Sequence, residues 1–178
     1  MIVKIIRYFS LIVIVLSIVL VVSVSFSRKT KKEENKKIIN NVINNKTGFN
    51  YTNTDIVGYL EIERLNIKNV IKIGVDDNIL DENVIGMLEE SEFGINDNDI
   101  FVAGHNIKEV FANLHYIKLG DIVKITTNDS CYKYMVNKIL FVNEEETNYL
   151  INNHLNKLTM MTCTYIPQKR LIIICDLV

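Results

Sequence analysis

Between Tyr8 and Phe26 the chain reads YFSLIVIVLSIVLVVSVSF, a run without one charged side chain. A helix over these residues, rising about 1.5 Å per residue, matches the roughly 30 Å hydrocarbon core of a bilayer. Residues 1–27 are therefore expected to form a single N-terminal transmembrane helix. A cleaved signal peptide is the alternative, since Ser23 and Ser25 are small residues at cleavage-like spacing. The run exceeds the usual apolar length of such peptides, which favours an uncleaved anchor. Residues 28–54 are rich in Lys, Asn and Glu and read as a solvated polar stalk with room for some helix. Residues 55–178 suffice for one compact domain.

Within that domain short stretches alternate apolar and polar residues: 56–63, 65–73, 99–104, 121–127, 131–142, 157–162 and 170–175. Period-two alternation is the mark of a half-buried strand. Gly58, Gly74, Gly94, Gly120 and the cluster Asn96 to Asp99 supply turn chemistry between them. Helical spacing is brief, at Leu80 to Leu88, Lys108 to Ile117 and Glu145 to Leu155. The expectation is a mostly β domain whose strands close, or nearly close, into a barrel and so leave no exposed edge.

Charge and cysteine content exclude several functions. The net charge is -1, with a sequence pI near 6.3 and no basic stripe, so nothing marks a nucleic acid partner. The three cysteines, Cys131, Cys163 and Cys175, are too few and too irregular for a disulfide scaffold or a paired C-x-x-C zinc site. Cys131 and Cys175 sit in strand-like segments and are read as core residues, with a bond between them left open. Glu144 to Glu146 could offer calcium ligands, but a short acidic run is more often simply solvated, so no cofactor is expected. His115 and His154 lie in polar, helix-like stretches and read as surface residues.

The chemistry gathers near the C-terminus, in KLTMMTCTYIPQKRLIIIC. Two apolar strands flank the loop Thr164 to Lys169, which contains Pro167, the only proline, and this reads as a hairpin. If Cys163 and Arg170 close that loop, they face each other across the ladder and project from one side of the sheet. By the same period Thr159 and Met161 share the Cys163 side, while Met160 and Thr162 point away. Upstream, DIFVAGHN runs a buried strand into Gly104, His105 and Asn106. A thiolate is the nucleophilic form of cysteine. A neighbouring imidazolium and guanidinium both favour it, and the imidazolium can then protonate a leaving amine. Arg170 can also hydrogen-bond an oxyanion.

Thr159-Met160-Met161-Thr162-Cys163, with Thr164, Tyr165 and the later Arg170, resembles the T-L-x-T-C signature and arginine of sortases. Ala103-Gly104-His105-Asn106 resembles the same family's G-H-N/R segment. Met160 stands where leucine is usual, an exchange that nearly conserves volume. The resemblance covers roughly Val57 to Val178 and includes Gly120-Asp121 before a strand. It implies an eight-stranded sortase β-barrel with Cys163 as nucleophile, His105 as general acid and base, Arg170 as ligand of the oxyanion or substrate carbonyl, and Thr162 and Asn106 in support. The implied reaction cleaves an LPxTG-like sorting signal of a secreted surface protein through a thioacyl intermediate. It then transfers that protein to an amine of a peptidoglycan precursor, on the outer face of a Gram-positive cell.

The GHNIK and TCTY wording is similar to class B, whereas the 58-residue interval from His105 to Cys163 suits class A or D. With Pro167 the sole proline, an Asp-Pro-aromatic lid ahead of the barrel is ruled out, which favours an anchoring role over pilus polymerisation. Lys4 and Arg7 before the apolar run suit a cytoplasmic N-terminus, while Arg28, Lys29, Lys31, Lys32, Lys36 and Lys37 after it argue the reverse. The implied chemistry decides for a catalytic domain outside. Two alternatives share these residues: a cysteine hydrolase delivering the acyl group to water, and a non-catalytic membrane-tethered binding barrel.

Overall fold

The computed structural model describes residues 2–44, 55–91, 93, 98–146 and 156–178. The chain divides into two compact units, residues 1–34 and 35–178. The first is the body of helix α1, Ile2–Asn44. Within its stretch Arg7–Lys31 an 18-residue window has a mean hydropathy of 2.9, which makes the helix long and apolar enough to cross a membrane. Helix α1 does not end with the apolar run. It continues through the Lys- and Glu-rich residues, which are good helix formers and include Glu33 one turn before Lys37. The expected stalk is thus helical as far as Asn44, and residues 45–54 lie outside the described residues.

In the second unit, eight strands among the described residues close into a barrel. They are β1 Ile56–Ile62, β2 Ile67–Ile73, β3 Ile85–Met87, β4 Ile100–Ala103, β5 Ile122–Thr127, β6 Cys131–Asn143, β7 Lys157–Cys163 and β8 Lys169–Leu177. The order around the wall is β1-β2-β3-β4-β7-β8-β6-β5, with β5 returning to β1. The β2/β3 and β4/β7 pairs are parallel and the others antiparallel. Leu60, Ile62, Ile71, Ile85, Val102, Val123, Ile125, Leu158, Met160, Leu171 and Ile173 fill the interior. Gly58 is required where β1 meets β5, because a Cβ there would come within 2.1 Å of the Thr126 carbonyl oxygen.

All seven strands read from alternation are present, with small shifts at their ends. The second starts at Ile67 because Glu63–Leu65 form a 3₁₀ turn closed by Asn66 in the left-handed region, at φ 52°. The helix expected over Leu80 to Leu88 is absent. Helix α2 covers only Asp77–Leu80, capped by the Asp76 carboxylate accepting from the Asn78 and Ile79 N–H groups. Asn83, at φ 61°, then turns the chain into β3. All three residues of β3 are buried, so it carries no polar alternation to read. Of the helix expected over Lys108 to Ile117, a 3₁₀ turn at Ala112–Tyr116 forms. The remaining expected helix falls largely on residues 147–155, outside the described residues, as does His154.

The cysteine assignments divide. Cys175 is a core residue, as expected, but Cys131 is exposed at the start of β6, beside the Thr126 hydroxyl. The three thiols are free, and Cys175 lies opposite Val136, well along β6 from Cys131.

Candidate active site

Strand β7 carries the site on its outer side. Leu158, Met160 and Thr162 turn into the barrel, and the alternation sends Thr159, Met161 and Cys163 to the outside, where Cys163 is exposed at the end of the strand. The hairpin register pairs Cys163 with Arg170, so thiol and guanidinium project from one face. The Thr164 N–H donates to the Lys169 carbonyl at 3.1 Å, and the Thr164 hydroxyl accepts from the Ile166 N–H, which folds the loop tightly beyond the pair.

His105 reaches the same place through the parallel β4/β7 pair. Ala103 lies beside Met161, and the Gly104 N–H donates to the Met161 carbonyl at 3.1 Å. One residue on, the buried Thr162 hydroxyl donates to the Gly104 carbonyl at 2.8 Å. His105 and Cys163 therefore leave the two strands side by side. Gly104 must be glycine here, since a Cβ would fall 2.7 Å from the side chains of both Val110 and Phe111. The His105 carbonyl accepts from the Ile107 and Phe111 N–H groups, at 2.9 and 3.1 Å, which fixes the turn that presents the imidazole.

His105 and Arg170 each have a carboxylate partner. His105 Nε2 lies 3.2 Å from Asp81 Oδ1. Arg170 Nη2 donates to Glu144 Oε2 at 2.9 Å and Nη1 to its neighbour's carbonyl, that of Lys169, at 3.3 Å. These bonds occupy two of the five guanidinium N–H donors. Glu144 is brought there by the β6/β8 ladder, which runs through Val142 opposite Arg170 to a Glu144 N–H bond with the Gln168 carbonyl. Glu146 holds Asn143 instead, and among the described residues no group of three His, Cys, Asp or Glu side chains is arranged for a metal.

Two polar atoms near the site are buried without a partner, and His115 departs from its expected place on the surface. Asn106 Oδ1 is buried without a hydrogen-bond partner. His115 is half-buried rather than on the surface, its Nε2 also without a partner and its ring stacked on Tyr165 at 5.0 Å. The Cys175 thiol shows the contrast with Cys163: burial pushes its pKa up to about 12.

The barrel, the paired Cys163 and Arg170 and the adjacent His105 coincide with a family assignment, since the Sortase domain profile matches residues 60–178. The chain belongs to the sortase family. Solved sortases share its fold. Sortase C of Streptococcus pneumoniae is 23% identical over 70% of this chain and 67% of that one, with a TM-score of 0.64. Sortase A of Corynebacterium diphtheriae is 26% identical over 70% and 61%, with a TM-score of 0.64. Sortase C-1 of Actinomyces oris is 24% identical over 73% and 78%, with a TM-score of 0.65. No curated protein matches the chain in sequence.

Proposed function

We propose that this sortase is a membrane-anchored cysteine transpeptidase that cleaves an LPxTG-like sorting signal and joins the released surface protein to an amine of a peptidoglycan precursor. The observation that carries the reading is the outward Cys163 paired with Arg170, beside His105 just past the end of the neighbouring strand. The Cys163 thiolate attacks the carbonyl carbon of the scissile bond, and Arg170 N–H groups stabilise the oxyanion. Protonated His105 gives its proton to the departing amine as the C–N bond breaks, leaving a thioester on Cys163. The acceptor amine then attacks the thioester, His105 takes its proton, and the thiolate leaves. Protein side chains supply all of this chemistry, without a cofactor. Thr162 supports both strands through Gly104, and Asn106 is the second supporting residue, its buried and unpartnered Oδ1 next to His105 in sequence.

In this reading Arg7–Lys31 spans the membrane once and the barrel works on the outer face of a Gram-positive cell. The test is to incubate the full-length chain in detergent with LPxTG-like peptides and a set of amines, and to identify products by mass spectrometry. Peptide joined to an amine, lost in Cys163→Ala, is expected. Release to water alone would make the protein a hydrolase, and no cleavage of any peptide would leave a binding barrel.

A further inference from the structure

A sortase His105 that exchanges protons with Cys163 and a leaving amine must present one particular ring nitrogen, and the fold contains a device that selects it. Nε2 is taken by the Asp81 carboxylate, 3.2 Å away. An Nε2–H donated to Asp81 leaves Nδ1 as the nitrogen that accepts the thiol proton and later returns it to the amine, because the partner of one ring nitrogen sets the role of the other. Asp81 closes α2, and its own N–H is bonded to the Asp77 carbonyl at 2.9 Å.

The two loops that carry Asp81 and His105 are far apart in sequence yet tied to each other. Asn69, a buried polar residue on β2, donates its amide N–H groups to the Asn83 carbonyl at 2.9 Å and the Glu109 carbonyl at 2.8 Å. Its own Oδ1 accepts from the Val70 N–H at 2.7 Å, so the amide is fully oriented. One buried side chain thus pins the loop after Asp81 to the loop after His105. A buried amide satisfied on both sides is rigid, and that rigidity passes to the pair it joins.

Resting on the Cys163–His105 chemistry proposed for this site, we propose that Asp81 is the positioning residue of His105, fixing its tautomer and ring orientation, and that Asn69 keeps the Asp81 and His105 loops in register. Asp81 touches neither thiol nor substrate in this scheme and acts only through the imidazole. Its side chain is 76% exposed, so its replacement leaves the core untouched.

The test uses the full-length chain in detergent and needs no substrate. Alkylation of Cys163 by iodoacetamide, in which the thiolate displaces iodide, is timed by peptide mapping so that Cys131 and Cys175 are counted separately. His105→Ala is expected to slow Cys163. Asp81→Asn is expected to slow it by roughly three- to fivefold, the size of a partly exposed charged pair. Asp81→Glu should recover most of that rate, and adding Asp81→Asn to His105→Ala should change nothing further. Equal slowing by Asp81→Asn in the presence and absence of His105 would overturn the inference, as would a wild-type rate in Asp81→Asn or labelling of the buried Cys175 in that variant. A wild-type rate in His105→Ala would overturn the Cys–His reading itself and this inference with it.

Discussion

The two ends of the β7/β8 hairpin place a cysteine in opposite circumstances. At the loop end Cys163 is paired with Arg170 and open to solvent. At the far end Cys175 is paired with Leu158, fully buried, and its thiol is pushed up to about 12. Both residues lie in apolar strands of similar composition. What separates them is the face on which the alternation lands them and the company at that point of the ladder. Exposure here is a property of register, and a one-residue slip of β7 would turn Cys163 into the barrel and Thr162 out.

That contrast can be broken chemically. In the folded protein, iodoacetamide should label Cys163 at least about a thousandfold faster than Cys175, because a thiol raised so far holds almost no thiolate at neutral pH. Equal labelling, read by peptide mass spectrometry, would erase the distinction. Removing the partner across the ladder comes next. Arg170→Ala should lower peptide-cleavage kcat/KM by about a hundredfold, as loss of an oxyanion donor does. Arg170→Lys should recover only part, since an ammonium lacks the planar fork.

A smaller effect is expected beneath the cysteine. Thr162→Val keeps the shape but strands the buried Gly104 carbonyl, which should cost about 1 to 2 kcal/mol in urea unfolding and lower activity by loosening β4 from β7. The smallest lies at the 3₁₀ turns by the barrel end. The Arg64 guanidinium, with help from the Lys118 N–H, holds the Asp121 carboxyl below its usual range. A depressed pKa gives stability that is present above the ordinary carboxylate value and lost as pH falls through the folded one. The melting temperature should therefore drop as the solution is taken below about pH 4, and Asp121→Asn should flatten that slope by a few degrees.

Much of this is legible in the residues. Strands with one wet face announce themselves by alternation, and the Thr159 to Cys163 and Gly104–His105 wording places the proposed nucleophile and base. Three things are hidden for physical reasons. Strand β3 is three buried residues with no period, lying in a stretch that mimics helical spacing. The parallel β2/β3 and β4/β7 pairings, which bring the site together, are long-range choices that leave no local trace. The roles proposed for Asp81 and Asn69 depend on such long-range pairings, Glu144 reaches Arg170 only through the β6/β8 ladder, and nothing in their sequence neighbours singles them out. Cys131 departs from its expected place in the core for a related reason: the start of a strand is apolar in pattern yet lies beyond the barrel's cover.

The role proposed for Cys163 as nucleophile is tested most directly by capturing a thioester on it. Full-length chain mixed with an LPxTG-like peptide and quenched in acid should show, by intact mass, one added acyl fragment. That fragment should map to Cys163, be cleared by hydroxylamine and be absent from Cys163→Ala. An adduct that persists in Cys163→Ala, or undiminished peptide cleavage by that variant, would contradict it.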